Sequence, residues 1–370
     1  MSRRTLFIIG VVGLLLFEAA NVYFIMPMPG SQRWRTVGLA YVIYRWRWVP
    51  RIVLWAALLI GLPAAWRARG YRKWLAPAAV AAVVIATYLF NFQMAADQMF
   101  RPVASLSMQS ASGNTVPPER LVVGIAVGNE ARAYPIRFIG YHHQVRDVVG
   151  GHPIMVTYCT VCRTGRIYSP DVDGQPESFR LVGMDHFNAM FEDATTGSWW
   201  RQATGEAIAG ARKGSRLEEL PSMQMTLAEW LVRYPRTLVM QEDPAFADAY
   251  GDPEKYAYED GTSRKALTGT NPDSWQDQSW VVGISLNGKS KAYDWNRLRT
   301  ERVINDAVGG VPVVLVLAVD NASFAAFERP AAETTYTEAS IAEIRRLKPV
   351  QASQEFWHSW RTFYPETGRY

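Results

Sequence analysis

Val122-Val-Gly-Ile-Ala-Val-Gly-Asn-Glu-Ala-Arg-Ala-Tyr134 and Val281-Val-Gly-Ile-Ser-Leu-Asn-Gly-Lys-Ser-Lys-Ala-Tyr293 align without a gap at an offset of 159. At the same offset Val145-Arg-Asp-Val-Val-Gly-Gly-His-Pro-Ile154 falls on Ile304-Asn-Asp-Ala-Val-Gly-Gly-Val-Pro-Val313, which pairs Asp147 with Asp306, Gly150-Gly151 with Gly309-Gly310 and Pro153 with Pro312. Farther on, Trp230-Leu-Val-Arg-Tyr-Pro-Arg-Thr237 resembles Trp360-Arg-Thr-Phe-Tyr-Pro-Glu-Thr367 at an offset of 130, so the second copy has the shorter middle. Self-similarity of this kind sets the architecture before any single element is assigned.

Each copy reads as β-rich with a closing helix. The runs 122–127 and 132–136 alternate around Gly128-Asn129, and Asn287-Gly288 holds the same place in the second copy, a strong hairpin signal. The run 145–149, Gly150-Gly151 and the run 152–158 predict a second hairpin. Segments 227–234 and 354–363 carry Trp and Leu at helical spacing and stop at Pro235 and Pro365. The predicted fold is therefore α+β: a β-rich soluble domain over 115–370 built from two pseudo-symmetric repeats, repeat one at 121–240 and repeat two at 280–370. The acidic, Tyr-rich stretch 244–271 joins the repeats or covers the site.

The chain has 370 residues, 49% of them hydrophobic, with a formal net charge of +5. Glu18 is the only acid before Asp97, so the cationic excess sits in the first 95 residues. It marks membrane flanks, not a nucleic-acid surface, and a small soluble enzyme is excluded. Behind Arg3 and Arg4 runs an apolar stretch, 5–26, without a small-x-small cleavage site, which predicts a retained span. Two more follow at 49–66 and 74–92, separated by Arg67, Arg69, Arg72 and Lys73, giving an all-α transmembrane region of about three helices over 1–95. Between the first two, Arg33, Arg35, Arg45 and Arg47 interleave with Trp34, Tyr41, Tyr44, Trp46 and Trp48, as in an interfacial helix. The charge rule puts Arg3, Arg4 and the 67–73 turn inside and the soluble domain outside the cytoplasm, with the Arg-rich 33–51 segment pulling the other way. Glu18, beside Asn21 in the first span, either reaches the far interface or marks a function.

The repeat also acts as a filter. A residue present in both copies serves the shared fold, as Tyr134, Asp147 and the Gly pairs do; a chemically distinctive residue present in one copy is free to be functional. His142, His143, Cys159 and Cys162 fall on Glu301, Arg302, Ala318 and Asn321. Four of the five histidines, His142, His143, His152 and His186, lie within 45 residues that also hold both cysteines. A tight 145–158 hairpin would bring 142 and 143 beside the strand end that feeds Cys159, and in a straight strand only one of those two rings could reach the thiols.

Two chemistries fit. Cys159 and Cys162, with Arg163 adjacent and His143 nearby, suit thiol–disulfide exchange through a lowered thiol pKa. Alternatively Cys159, Cys162, His142, His143 and His186 supply thiolate and imidazole ligands for Zn²⁺ or Cu(I). An inert disulfide or two buried thiols is the bland reading, and c-type haem is excluded because Arg163 follows the second cysteine. The segment 183–210, in the part that the second copy shortens, offers His186, Trp200 and Gln202, together with Arg163, as pocket candidates, with Trp200 also packing as core. No phosphate loop, nucleophile elbow, dinucleotide fingerprint or HExxH helix is present.

Val156-Thr-Tyr-Cys-Thr-Val-Cys-Arg-Thr-Gly165 and Asp193-x-x-Thr-Gly-Ser-x-Trp-x-Gln-x-Thr-Gly-x-Ala-Ile-x-Gly210 resemble the motifs of a bacterial family known as domain of unknown function 3179, over roughly 115–370. The resemblance implies no established activity. Some members are described as selenoproteins in this motif, which implies redox use of Cys159 and Cys162; the N-terminal spans resemble a membrane-anchored subset. The expectation is an integral protein of the bacterial inner membrane with a periplasmic thiol redox site and a protein redox partner. The alternatives are a Zn or Cu binding or delivery protein and a structural subunit of a membrane complex.

Overall fold

The computed structural model describes residues 1–34, 36–67, 73–251 and 257–370. Of the basic segments read from the sequence, Arg35, Arg69 and Arg72 lie outside these.

Helices Arg3–Tyr23, Trp48–Trp66 and Leu75–Tyr88, the last continued by a π-helical turn Leu89–Gln93, give three spans long and apolar enough to cross a membrane. The first two touch through glycine: a Cβ at Gly10 would stand 2.5 Å from the Leu58 nitrogen, and one at Gly61 2.3 Å from the Phe7 nitrogen. Small residues let helix backbones approach where lipid provides no hydrophobic drive. Ile8, Leu16, Ile52, Leu59 and Ile85 point outward, as lipid-facing positions do. Helix Val37–Arg45 stands where the aromatic–Arg mixture predicted an interfacial element. Tyr41 and Tyr44 pack edge-on against Trp199 of the β-rich part, while Leu39 and Val42 remain exposed on the other side.

The β-rich part runs through the same order of elements twice. Strands Leu121–Val127 and Glu130–Pro135 pair antiparallel and lead into helix Ile136–His142, then strands Gln144–Val149, His152–Cys159 and Thr164–Tyr168. In the second half Trp280–Leu286 and Lys289–Asp294 lead into helix Trp295–Glu301, then Val303–Val308, Val311–Leu317 and Phe324–Glu328. Each half returns a strand to the edge of its first hairpin and follows it with a helix: Met223–Thr226 with Leu227–Arg233, and Ala352–Phe356 with Trp357–Phe363. Asn287 and Gly288 adopt φ +51° and +73°, the left-handed pair that matches strand twist in a two-residue hairpin.

Packing repeats as well. Trp230 covers Gly124 and Trp360 covers Gly283 so closely that a Cβ there would lie 2.4 and 2.1 Å from the rings. The indole nitrogens donate to Thr237 at 2.9 Å and Thr367 at 2.8 Å. Tyr134 donates to Asp147 at 2.6 Å and Tyr293 to Asp306 at 3.0 Å, which satisfies phenols that are otherwise in the core.

The first half carries an addition, a four-stranded sheet of Phe179–Asp185, Asn188–Asp193, Trp199–Arg201 and Ala207–Ala209. It lies over the end of the His152–Cys159 hairpin and forms one apolar cluster with Cys159, Cys162 and residues from the first span.

Candidate functional site

Cys159 is the last residue of its strand and pairs in register with Thr164. Residues 160–163 make the turn, closed by Arg163 at φ +57°. This geometry brings the two sulfurs together: both thiols donate to the Phe187 carbonyl, Cys159 Sγ at 3.5 Å and Cys162 Sγ at 3.3 Å. Both are free and fully buried.

Their environments split them. Burial raises the Cys159 pKa, but the Cys162 thiol and the N–H groups of Ala189, Cys162 and Val161 stabilise its thiolate more, and the net shift is downward. Burial raises Cys162 too, and there the Cys159 sulfur and Glu355 add to it while Ser359 opposes, leaving the thiol well above its ordinary value. The two shifts run in opposite directions, and loss of a proton is favoured at Cys159 over Cys162.

The second half supplies the wall. Phe356 N–H donates to the Cys162 carbonyl at 2.9 Å, and His358 Nε2 lies 3.3 Å from the Val161 carbonyl. Ser359 donates to Glu355 at 2.8 Å, and Glu355 pairs at 2.6 Å with Arg166, which also reaches Glu219 at 3.0 Å. The roof is the tight turn His186-Phe187, at φ +51° and +66° between strands that pair Asp185 with Asn188. Burial would raise the Asp185 pKa, but hydrogen bonds from His186 (2.7 Å) and Arg201 (2.7 and 2.9 Å) hold the carboxylate below its usual range. The turn is tied to the membrane region: Phe187 N–H donates to Gln32 Oε1 at 3.3 Å, and Gln32 Nε2 donates to the carbonyls of Phe24 (3.2 Å) and Met26 (3.3 Å).

The histidines expected at the thiols are placed differently. The hairpin register does bring backbone together, since Tyr158 N–H donates to the His143 carbonyl at 3.1 Å. The rings point elsewhere because 142 and 143 end a helix instead of entering a strand. His142 is the last residue of Ile136–His142, its Nδ1 at 2.5 Å from the Arg101 carbonyl and its Nε2 on the Tyr250 hydroxyl. His143 is the left-handed cap at φ +61°, its ring 4.5 Å from that of Phe100, and burial lowers its pKa to about 4. His186 sits in the roof, with Nδ1 committed to Asp185. Among the described residues no three His, Cys, Asp or Glu side chains group so as to hold a metal ion.

Arg163 turns away from the sulfurs into the second half. It donates to Gln354 (2.8 Å), the Tyr258 carbonyl and the Glu259 carbonyl (2.7 Å), and lies 3.6 Å over the Trp280 ring. Stretch 244–271 thus holds Arg163 and His142; its residues 252–256 lie outside those described. Trp200 is core and donates to Asp193 at 2.8 Å. Gln202 is a buried pin, not a pocket wall: it donates to Thr157 and to the Thr164 carbonyl, both at 3.0 Å, and accepts from Asn188 at 2.9 Å.

Over residues 101–367 the chain matches the family described as protein of unknown function (DUF3179). It belongs to that family. No curated protein and no solved structure matches it. The matched span of this DUF3179 protein takes in both halves, the thiol turn and its roof, and leaves the three spans outside.

Several groups at the site of this DUF3179 protein escaped sequence reasoning. The Phe187 carbonyl is backbone and has no sequence signal. Gln32 comes from far along the chain. His358 and Ser359 could have been found: at the 130 offset their counterparts are Ala228 and Glu229, so the filter that singled out the cysteines also singles out these two.

Proposed function

We propose that Cys159 and Cys162 are a dithiol/disulfide redox couple, with Cys159 as the attacking thiolate and Cys162 as the resolving thiol. The observation that carries this is the meeting of two unbonded sulfurs at one hairpin tip, both on the Phe187 carbonyl. Oxidation joins the sulfurs, with two S–H bonds lost and two electrons and two protons passed to an acceptor. The split in thiol pKa suits this sequence, since a thiolate attacks and a protonated neighbour holds the second proton. A metal cage needs a third and fourth ligand, which the described residues do not bring to the thiols.

We read the two halves as copies of one unit, with the thiols and their roof added to the first. The Arg3, Arg4 and Arg67, Lys73 ends of the spans favour the cytoplasmic side, which puts the β-rich domain and the couple on the periplasmic side of the inner membrane.

The test uses the full chain in detergent: thiols counted before and after mild reduction, with metal content on the same sample, beside Cys159→Ser/Cys162→Ser. The expected result is two thiols released by reduction and no stoichiometric metal. Metal bound one to one and lost in the double variant would overturn the redox reading, as would two thiols that mild oxidation never joins.

A further inference from the structure

The couple is closed to water and to any folded partner's cysteine, because both sulfurs have no exposed surface. Its apolar surroundings run in one direction. Cys159, Cys162 and Val161 share a cluster with Val22, Ile25 and Met26, from the end of the first span and the turn after it. The roof is bonded to that turn through Gln32, and Met184 N–H donates to the Ile25 carbonyl at 2.8 Å. Helix Val37–Arg45 is packed on the domain by its tyrosines and exposes Leu39 and Val42, the arrangement of a helix that lies in a membrane interface.

One polar group interrupts the path. Asn21, 5% exposed, has a buried Oδ1 with no hydrogen-bond partner. It lies one turn after Glu18 and next to Val22, the helix residue that belongs to the thiol cluster. A buried acceptor left without a hydrogen bond is costly, which makes Oδ1 of Asn21 a place for a ligand with hydrogen-bonding groups. An amide offers a donor and an acceptor, which fits a carbonyl in one redox state and a hydroxyl in the other.

We infer that the electron acceptor of the couple is a membrane-soluble quinone that enters between the first span and the His186-Phe187 roof, with Asn21 as a hydrogen-bonding residue on its route. The inference rests on the redox reading above. In the reaction the Cys159–Cys162 bond forms, two S–H bonds break, and the quinone takes two electrons and two protons on its two carbonyl oxygens to leave as the quinol. Asn21 Nδ2 donates to the quinone carbonyl, and Oδ1 accepts from the quinol hydroxyl.

The test takes the pre-reduced full chain in lipid nanodiscs, without oxygen, and adds a short-tailed, fully substituted benzoquinone, whose ring resists permanent thiol addition. Quinol absorbance and residual thiols are followed, with diamide as a small oxidant of different chemistry. The expected result is one quinol per two thiols lost, none with Cys159→Ser, and at least a tenfold slower quinone reaction in Asn21→Leu with the diamide rate unchanged. Oxidation by diamide but not by the quinone would overturn the quinone assignment and leave the redox couple standing. Oxidation by neither would overturn both. Equal slowing of both oxidants in Asn21→Leu would remove Asn21 from the route.

Discussion

The two halves place the same hairpin tip in opposite surroundings. In the first, Cys159 and Thr164 close a turn that is buried under the added sheet; in the second, Leu317 and Phe324 close residues 318–323, where Val319 is 78% exposed. The approach to the tips is the same. His143 and Arg302 cap the preceding helices at φ +61° and +62°, and their carbonyls accept from Tyr158 at 3.1 Å and Leu317 at 2.9 Å. In the exposed tip, Arg302 bonds Asn321 and the Ala318 carbonyl, and Asp320 accepts from Ser323, so its polar groups are settled locally. The framework fixes a position, and the cover decides its chemistry: a thiol at residue 318 would meet water, whereas Cys159 meets three N–H groups, a second thiol and no solvent.

The largest contrast to break is the buried charge behind the tip. Arg166, ion-paired with Glu355 and Glu219, stands where the second half has Ala325. Arg166→Met leaves the Glu355 carboxylate buried without its cation and costs about 3–5 kcal/mol in urea unfolding. Adding Glu355→Met recovers most of that loss; if the single variant loses under about 1 kcal/mol, the pair is not desolvated and the wall is softer than drawn.

The caps sharpen the comparison through pH. With the folded His143 at about 4 and an unfolded histidine near 6.5, the unfolded chain binds more protons between those values. Stability is then flat above pH 6.5 and falls as pH drops toward 4, by about 3 kcal/mol at most. His143→Phe reduces that slope and Arg302→Phe does not, as read from unfolding midpoints across pH 4–7. His142 and His358, also lowered by burial, leave a residual slope of the same sign. An unchanged slope in His143→Phe would move the titration to those two.

The smallest effect tests sameness. Gly124→Ala and Gly283→Ala each push a Cβ into a tryptophan ring and cost about 1–3 kcal/mol by overpacking. The two losses are expected within about 1 kcal/mol of each other by chemical denaturation, and a wider gap would mean that Trp230 and Trp360 are not held alike.

The hairpins, the closing helices and the spans were legible because each follows from local chemistry: alternation, Asn-Gly turns, proline stops, apolar runs of spanning length. The short helices Ile136–His142 and Trp295–Glu301 were not, and residues 354–356, expected in the last helix, end the strand Ala352–Phe356. Cys159 and Cys162 stood out because Ala318 and Asn321 hold their places at the 159 offset. The ring directions of His142 and His143 were not legible, since a left-handed cap turned them from the strand and no spacing encodes that. The thiols' cover was hidden for another reason: Phe187 acts through its backbone, Gln32 and Ser359 arrive from opposite ends of the chain, and Gln202 looks the same in sequence whether it lines a cavity or pins two strands.

Within the spans, Glu18 is held by Arg51 through two 2.7 Å bonds, and Asn91 joins both at 2.9 and 2.6 Å. One partner comes from each helix, but the two charges already match each other once the first two helices stand side by side. A lone charge in the bilayer is costly, so the first span is held back until the helix that carries Arg51 joins it, and Asn91 then completes the cluster. Assembly is thereby ordered in two steps: a chain truncated before residue 51 leaves Glu18 without its cation, whereas one truncated before residue 91 keeps the ion pair and lacks only a neutral hydrogen-bonding partner.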